Sequence, residues 1–325
     1  MQLRYGMNPH QSARIVSGGD HVRAVHGSPS LINYLDALNA GQLVAEAARA
    51  TGRVAAASFK HVSPAGAALA GSLDETMRDR WGLGADAAGP VTAAYVRARD
   101  ADPRSSYGDM IAVSEPVDQQ LAALLATVVS DGIIAPGYEP GTVAALSRKK
   151  GGRFVVFEID PTYEPPAPEV RTVLGVTFEQ ERDHAPIGPD LLQVTGEGRL
   201  GPDATADALL GLVAARYTQS NSVVYVRDGM SIGIGAGQQS RIDCTRLAGD
   251  KAREWWLRRD SGPLTGATLV SDGYIPFRDN IDVAAAHGVE VVVEPGGSLR
   301  SDEVAEACHE HRITLVRTGL RLFHH

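Results

Sequence analysis

With 325 residues, 43% of them hydrophobic, the chain is long enough for one large or two moderate cores, and this length favours two domains. A formal net charge of −8 argues against a nucleic-acid partner, because surfaces that follow phosphates need an excess of lysine and arginine. The sequence has no apolar run near the roughly 18 residues of a membrane helix, no N-terminal secretion signal and only two cysteines, so we expect a cytoplasmic protein without membrane partner, disulfide framework or metal site.

Short apolar strand patterns alternate with helical patterns along the chain, which predicts an α/β protein. In chain order the patterns predict helix 30–52, strand 53–59, helices 74–84 and 117–127, strand 126–135, helix 139–151, strand 153–159, helix 206–219, strands 222–228, 230–237 and 267–273, helix 278–288, strand 289–295, helix 301–311 and strand 313–319. Proline-rich sequence and turn signals between Asp160 and Asp203 predict a lobe boundary. A short repeat, SDGIIAPGYEPGTVAAL against SDGYIPFRDNIDVAA, favours two lobes, with chance similarity as the alternative.

The stretch SFKHVSPAG, residues 58–66, sets a lysine beside a histidine at the end of an apolar strand. We expect Pro64 and Gly66 to end this strand, so that Lys60 and His61 can serve one pocket although neighbouring strand residues face opposite ways. An imidazole that titrates near neutral pH, next to an ammonium, suits moving a proton while stabilising developing negative charge. A capped strand end with a surface lysine explains these residues equally well.

Two glycine-bearing stretches are further candidates for binding. After Asn221, the glycines at 233, 235 and 237 permit close approach of a planar or anionic group ahead of Arg241, although tight packing is the commoner reason for glycine in strands. Gly296 and Gly297, between a predicted strand and a helix, suit an anionic group or an ordinary turn. A solvated position is the favoured interpretation for four further charged or titratable residues: Lys149, Lys150, His309 and His311.

Taken together, these stretches resemble one family, the transformylase half of the bifunctional enzyme that is both AICAR transformylase and IMP cyclohydrolase. The resembling segments span the chain in order: LRYGMNPHQ (3–11), SFKHVSPAGAA (58–68), SSYGD (105–109), SDGIIAPGYE (130–139), RYTQSNSV (216–223), IGIGAGQQSRIDCTRLAGDKA (232–252), PFRDN (276–280) and LRLFHH (320–325). The resemblance implies two lobes, 1–200 and 201–325, each similar to the cytidine deaminase-like fold without its zinc site. It also implies a homodimer with active sites at the subunit interface.

The resemblance further implies transfer of a formyl group from the cosubstrate 10-formyltetrahydrofolate to the 5-amino group of the nucleotide AICAR, giving FAICAR in purine biosynthesis. It implies that His61 accepts a proton, that Lys60 stabilises the transition state and that Asn221 assists. No metal is implied, and a structural monovalent cation is left open. Positions matching nucleotide contacts are Arg4, Tyr5, Gly108, Asp131, Arg241, Tyr274 and Arg321, and positions matching folate contacts are Asp279, Gly296 and Gly297.

Three departures from the family pattern keep alternatives open. The chain begins where the transformylase half begins, so we expect the cyclohydrolase domain to be absent, with a separate enzyme closing the ring or the chain being a piece of a longer one. Only 14 residues separate Trp256 from Ser271, where vertebrate-type relatives carry a longer insertion, and Tyr274 replaces a common phenylalanine. The alternatives are a related folate-dependent formyltransferase for another amine in secondary metabolism, and a non-catalytic nucleotide or folate sensor.

Overall fold

The computed structural model describes residues 1–84, 88–196, 199–260 and 262–325. Fourteen strands and nine α-helices lie in these ranges. The strands are β1 Val22–His26, β2 Ala55–Lys60, β3 Ser63–Leu69, β4 Asp109–Val113, β5 Ser130–Ala135, β6 Val155–Ile159, β7 Pro168–Val173, β8 Val176–Glu181, β9 Gln193–Thr195, β10 Val223–Arg227, β11 Met230–Gly235, β12 Ala267–Ser271, β13 Val289–Glu294 and β14 Thr314–Arg317. The helices are α1 Leu31–Thr51, α2 Glu75–Trp81, α3 Pro90–Ala101, α4 Gln119–Leu125, α5 Thr142–Ser147, α6 Pro202–Arg216, α7 Arg241–Leu257, α8 Asp279–Ala286 and α9 Ser301–Glu310.

Twelve of the strands form one mixed sheet, in the spatial order β1-β6-β5-β4-β2-β3-β11-β10-β12-β13-β14-β9, which confirms the predicted α/β class. Counted from the β1 edge, the first half has the order β1-β6-β5-β4-β2-β3. Counted from the β9 edge, the second half has the order β9-β14-β13-β12-β10-β11. The two halves therefore have the same topology, with β1 to β6 equivalent to β9 to β14. Each half contains three parallel neighbours, β4-β5-β6 in one and β12-β13-β14 in the other. The halves meet where β3 pairs with β11 through Ala68 and Met230.

Helices cover both faces of this sheet, as parallel strands require. One face carries α1 and α6, whose buried alanines, leucines and valines share a core with Phe59, Phe157 and Val270. The other face carries α3, α4, α5, α7, α8 and α9. No helix among the described residues is both long and apolar enough to cross a lipid bilayer.

The sequence repeat that suggested two lobes is not the structural repeat. Ser130 begins β5, whereas Ser271 ends β12. The counterpart of β12 in the repeated topology is β4, so the structural equivalent of the segment that starts at Ser271 starts near Ser114. The first SDG begins a strand and the second spans the end of one, so the two sequences are not equivalent in the repeated topology. The boundary at residue 200 stays a prediction; Glu197 and Gly198, close to it, lie outside the described residues.

All eight predicted strands and all seven predicted helices are found, with ends shifted by a few residues. The sequence patterns missed α3, α7 and six strands. Helix α3 has no polar face, since eleven of its twelve residues are buried, including Arg97 and Arg99. A helix that is buried all round lacks the periodicity by which sequence analysis recognises helices.

Close helix packing explains several of the strand glycines. A side chain at Gly66 would overlap the carbonyl oxygen of Ala98 in α3, and one at Gly233 would overlap that of Ala248 in α7. Gly235 is similarly close to Cys244. For Gly233 and Gly235, tight packing is therefore the correct interpretation rather than approach of a ligand.

Candidate functional site

Most of the predicted site residues lie along one edge of the sheet, which we call the site edge. The two halves run in opposite directions, so the end of β2 and the starts of β4 and β5 lie at the same edge as the ends of β11, β12 and β13. The first half places Lys60, Gly108 and Asp131 there. The second half places Asn221 before β10 and Tyr274 after β12.

His61 lies at the tip of a tight β-hairpin. Lys60 pairs with Ser63 across the ladder, which leaves His61 and Val62 as a two-residue loop. Both have positive φ, 53° and 60°, as a type I′ turn demands, although such turns favour Asn-Gly and a β-branched residue there is an outlier. Left-handed non-glycine residues cost roughly 1–3 kcal/mol each and persist only where the surroundings enforce them.

This hairpin corrects the predicted end of the strand. Pro64 and Gly66 do not terminate it, because both lie inside β3, directly after the turn. Pro64 is tolerated near the start of β3, beside a register irregularity at Ser58 and Phe59. The sequence contains no Asn-Gly or Asp-Gly signal at the turn, so the hairpin could not be recognised from turn chemistry.

Asp36 lies in α1 and anchors the His61–Val62 turn, and sequence analysis did not identify it. Its carboxylate oxygen accepts a hydrogen bond from the Val62 N–H at 2.6 Å. Burial raises the pKa of Asp36, while the Val62 hydrogen bond and the nearby charges of His61 and Lys60 oppose this rise. The residue lies in an ordinary helical pattern, NYLDALNA, and no local signal marks it.

The Lys60 ammonium is held by backbone carbonyls. Its Nζ donates to the Tyr107 oxygen at 2.5 Å and to the Gly108 oxygen at 3.4 Å. Gly108 has a φ of 78°, and a Cβ there would lie 3.0 Å from Nζ and 3.7 Å from the Asp131 carboxylate. Lys60, Gly108 and Asp131 are therefore brought together, and the roles that the resemblance implies for them stay predictions.

Of the two lysines in the turn after α5, Lys150 is exposed, as predicted, whereas Lys149 is half-buried. Lys150 pairs with Asp131 at 2.5 Å, so it belongs to the first-half cluster at the site edge. Lys149 donates to the Val128 carbonyl and lies over the Phe154 ring, and burial lowers its pKa. Lys149 therefore departs from the predicted solvated position, because its side chain folds back onto Val128, shortly before β5.

Asn221 and Arg241 form a second cluster. Arg241 is 9% exposed, and its guanidinium donates to Asp272 at 2.6 Å, Ser271 at 2.8 Å and the Asn221 side-chain oxygen at 2.7 Å. The Asn221 amide nitrogen donates to the carbonyls of residues 238 and 239. Asp272 balances the buried charge, and Arg241 is thereby placed to orient Asn221.

The C-terminal tail docks against this second cluster. The Leu322 N–H donates to the Asp272 carbonyl at 2.8 Å, and His324 and Ser220 exchange two hydrogen bonds of 3.0 Å. The Arg321 guanidinium lies 4.6 Å from the Phe323 ring centroid.

Gly273 lies between this tail and the second cluster. A Cβ at Gly273 would lie 2.7 Å from Phe323 and 2.8 Å from Arg241. Arg321 and half-exposed Tyr274 thus lie beside the Asn221 cluster.

Arg4 and Tyr5 lie next to the start of α1. The Arg4 N–H donates to the Pro29 carbonyl at 3.1 Å, and the Tyr5 carbonyl accepts from the Leu31 N–H at 3.0 Å. The Arg4 guanidinium, 4.7 Å from the Tyr5 ring centroid, also donates to its hydroxyl. Because Arg4 is exposed, its charge remains accessible to an anion.

The residues predicted to contact folate lie apart from the Lys60–His61 pair within one chain. Asp279 begins α8, and Gly296 and Gly297 follow β13 with φ values of 80° and 88°. Strand β13 is five positions from β2 in the sheet, which corresponds to roughly 24 Å. A contact between Gln219 and Ser63, at 3.4 Å, links the two halves, but it does not bring β13 to β2.

Both cysteines are buried, and burial raises the pKa of Cys244 and Cys308 to about 12. Across residues 1–84, 88–196, 199–260 and 262–325, no group of three or more His, Cys, Asp or Glu side chains is arranged to hold a metal ion. A cleft of about 660 Å³, along α1 and the segment 160–187, includes none of the predicted site residues.

Comparison with known proteins identifies the family. The AICARFT/IMPCHase bienzyme family model matches residues 1–251. The bifunctional purine biosynthesis protein PurH of Aquifex aeolicus is 34% identical over 332 residues, covering 100% of this chain and 59% of that protein. PurH of Roseobacter denitrificans is 33% identical over 336 residues, covering 99% of this chain and 59% of that protein. The chain thus spans about three fifths of the length of these relatives.

A solved structure entitled "Structural genomics, protein ybgI, unknown function" aligns with 63% of this chain and 70% of its own at 14% identity. Its TM-score of 0.16 is too low to bear on the fold. The family model covers more than half of the chain, and the relatives align along nearly all of it. The resemblance inferred from the sequence is confirmed at the level of the family: the chain belongs to the AICARFT/IMPCHase bienzyme family.

Proposed function

We propose that the chain is a formyltransferase that moves the formyl group of 10-formyltetrahydrofolate to the 5-amino group of AICAR, giving FAICAR. The observation that carries this proposal is the Lys60–His61 pair: an ammonium fixed by two carbonyls beside an exposed imidazole on a strained turn. Backbone strain and a pair able to transfer protons are typical of catalytic sites. A sensor of nucleotide or folate needs neither.

The chemistry of formyl transfer suits these residues. The amine nitrogen attacks the formyl carbon, and His61 takes the proton that this nitrogen loses as the bond forms. The carbonyl oxygen becomes an oxyanion, which the Lys60 ammonium stabilises. Collapse of this intermediate restores the carbonyl and expels the folate nitrogen, which takes up the proton that His61 accepted. Arg4 and Arg321, both exposed at the site edge, supply charge for the nucleotide phosphate.

A steady-state assay with AICAR and 10-formyltetrahydrofolate tests the proposal. We expect tetrahydrofolate and FAICAR to form in equal amounts, with no IMP, as judged by absorbance and mass spectrometry. Turnover with a different amine but not with AICAR would favour the alternative acceptor, for which the hydroxyl of half-exposed Tyr274 is the motivating feature. Tight AICAR binding without any turnover would favour a sensor.

We also propose that the protein is a homodimer of two-lobed subunits, each lobe similar to the cytidine deaminase-like fold and divided near residue 200. The repeated strand order supports two lobes. The separation of roughly 24 Å between β2 and β13 supports the dimer, because a second subunit can supply folate-side residues that one chain holds away from Lys60. The cytoplasmic location stays a prediction.

The hairpin of β7 and β8 is the surface that we expect the second subunit to cover. Every residue of both strands is exposed, and its large apolar side chains are Val170, Val173, Leu174, Val176 and Phe178. A two-stranded hairpin is marginally stable alone. Covering five such side chains buries on the order of 300–600 Å² per subunit, a large part of the ~800 Å² that each partner of a standard interface contributes. Arg171 donates to the His325 carbonyl, which connects the hairpin to the tail at the site edge.

Substituting Phe178→Glu should therefore convert the dimer to a monomer. Phe178 and Leu257, at the end of α7, are both 57% exposed, which makes Leu257→Glu a matched control. We expect sedimentation at micromolar concentration to give a dimer for the wild type and the control and a monomer for Phe178→Glu. A monomeric wild type would refute the dimer, and a dimeric Phe178→Glu would place the interface elsewhere.

A further inference from the structure

We propose that Asp36 is a positioning residue of this site: it fixes the left-handed His61–Val62 turn and so sets the place of the His61 imidazole. The inference rests on the proposed function, since it assigns Asp36 a part in the same reaction. Two observations carry it. The Val62 N–H donates to the Asp36 carboxylate at 2.6 Å, and Val62 has a φ of 60°, which a β-branched residue adopts only under constraint.

The hydrogen bond comes from a rigid element. Asp36 lies in the second turn of α1, whose start is fixed by a capping box in which the Ser30 and Asn33 side chains and backbone groups bond reciprocally. The start of the helix that carries Asp36 is therefore fixed by groups outside the hairpin that the carboxylate contacts. A helix anchored in this way can keep the two-residue loop from relaxing to a turn with negative φ.

The charge of Asp36 also suits this location. Its carboxylate lies near both His61 and Lys60, with Asp131 of β5 contributing an opposing negative charge and Lys150 pairing with Asp131. When the His61 imidazole accepts the proton of the amine, it becomes a cation beside this carboxylate. Asp36 thus has two separable effects. Its oxygen accepts the hydrogen bond that orients the turn, and its negative charge stabilises the protonated imidazole.

Three substitutions separate these effects. Asp36→Asn retains a side-chain oxygen for the Val62 N–H but removes the charge, whereas Asp36→Ala removes both. Asp36→Glu retains the charge but moves the acceptor by one methylene. Asn39→Ala is the matched control, because Asn39 lies one turn further along α1 and bonds only the Leu35 carbonyl among the described hydrogen bonds of its side chain.

We expect Asp36→Ala to lower kcat about 100-fold with KM for AICAR within about threefold, since misplacing a catalytic group by 1 Å costs on this order. Asp36→Asn should recover at least a tenth of the wild-type kcat, and Asn39→Ala should match the wild type. Hydrogen exchange of the Val62 amide, which needs no activity, should accelerate in Asp36→Ala and stay slow in Asp36→Asn. If Asp36→Ala does not fold, Asp36→Glu takes its place with the same expected loss of kcat.

Three outcomes would overturn the proposal. They are a wild-type kcat in the folded Asp36→Ala or Asp36→Glu variant, equal losses in Asp36→Asn and Asp36→Ala, and a Val62 amide whose exchange does not respond to Asp36→Ala. A wild-type protein without transformylase activity defeats the proposed function instead. The amide exchange still tests the anchoring of the turn in that case.

Discussion

Replacing His61 by alanine should lower kcat by about 10²–10⁴ and leave the affinity for AICAR within about threefold of the wild type. The imidazole acts on a proton that leaves only as the new bond forms, so its loss raises the barrier without weakening the ground-state complex. Within the described part of the chain no hydrogen bond reaches the His61 ring, which is exposed, so the substitution should also leave the fold intact.

A second variant is needed because His61 has a positive φ, which alanine adopts less readily than asparagine. His61→Asn therefore separates loss of the imidazole from distortion of the turn. Both variants should lose similar amounts of kcat, and exogenous imidazole should restore part of the activity of His61→Ala because the ring position is open to solvent. His309→Ala, an exposed histidine of α9, is the control. Parallel losses in nucleotide binding and turnover would contradict a role in proton transfer.

Sequence periodicity predicted the α/β class and the strands with continuous apolar runs, because buried strands consist mostly of apolar residues. It missed α3 for the same physical reason, since burial on every side removes the polar face that marks a helix. It also missed β7 and β8, whose residues are all exposed and which follow a proline-rich stretch that predicts a loop.

The candidate site likewise contains some residues that could be predicted from the sequence and others that could not. The Lys60–His61 pair could be proposed from nine residues, because the two chemistries are adjacent in the chain. Asp36 and Lys150 could not, since their relation to the pair depends on how α1 and the turn after α5 fold back onto the sheet. The burial of Arg241 against Asp272 and its hydrogen bond to Asn221 were equally invisible, and its contact with the nucleotide stays a prediction.

Lys60→Met should lower kcat by about 10²–10³, the loss typical of removing one donor to an oxyanion. The ammonium is held by the carbonyls of Tyr107 and Gly108, so its position is set before substrate binds and little reorganisation is needed when charge develops. Methionine fills similar space without the charge. Lys251→Met, which removes an ammonium paired with Asp102 at 3.1 Å, is the control.

Lys60→Arg distinguishes the position of the charge from its presence. A guanidinium is planar and longer than an ammonium, and Gly108 leaves little room, since even a methyl group there would lie 3.0 Å from the Lys60 nitrogen. We therefore expect Lys60→Arg to lose nearly as much kcat as Lys60→Met in single-turnover measurements with saturating AICAR and folate. Activity of Lys60→Arg within about threefold of the wild type would show that any nearby positive charge suffices, and it would refute the assignment of Lys60 as the donor to the oxyanion.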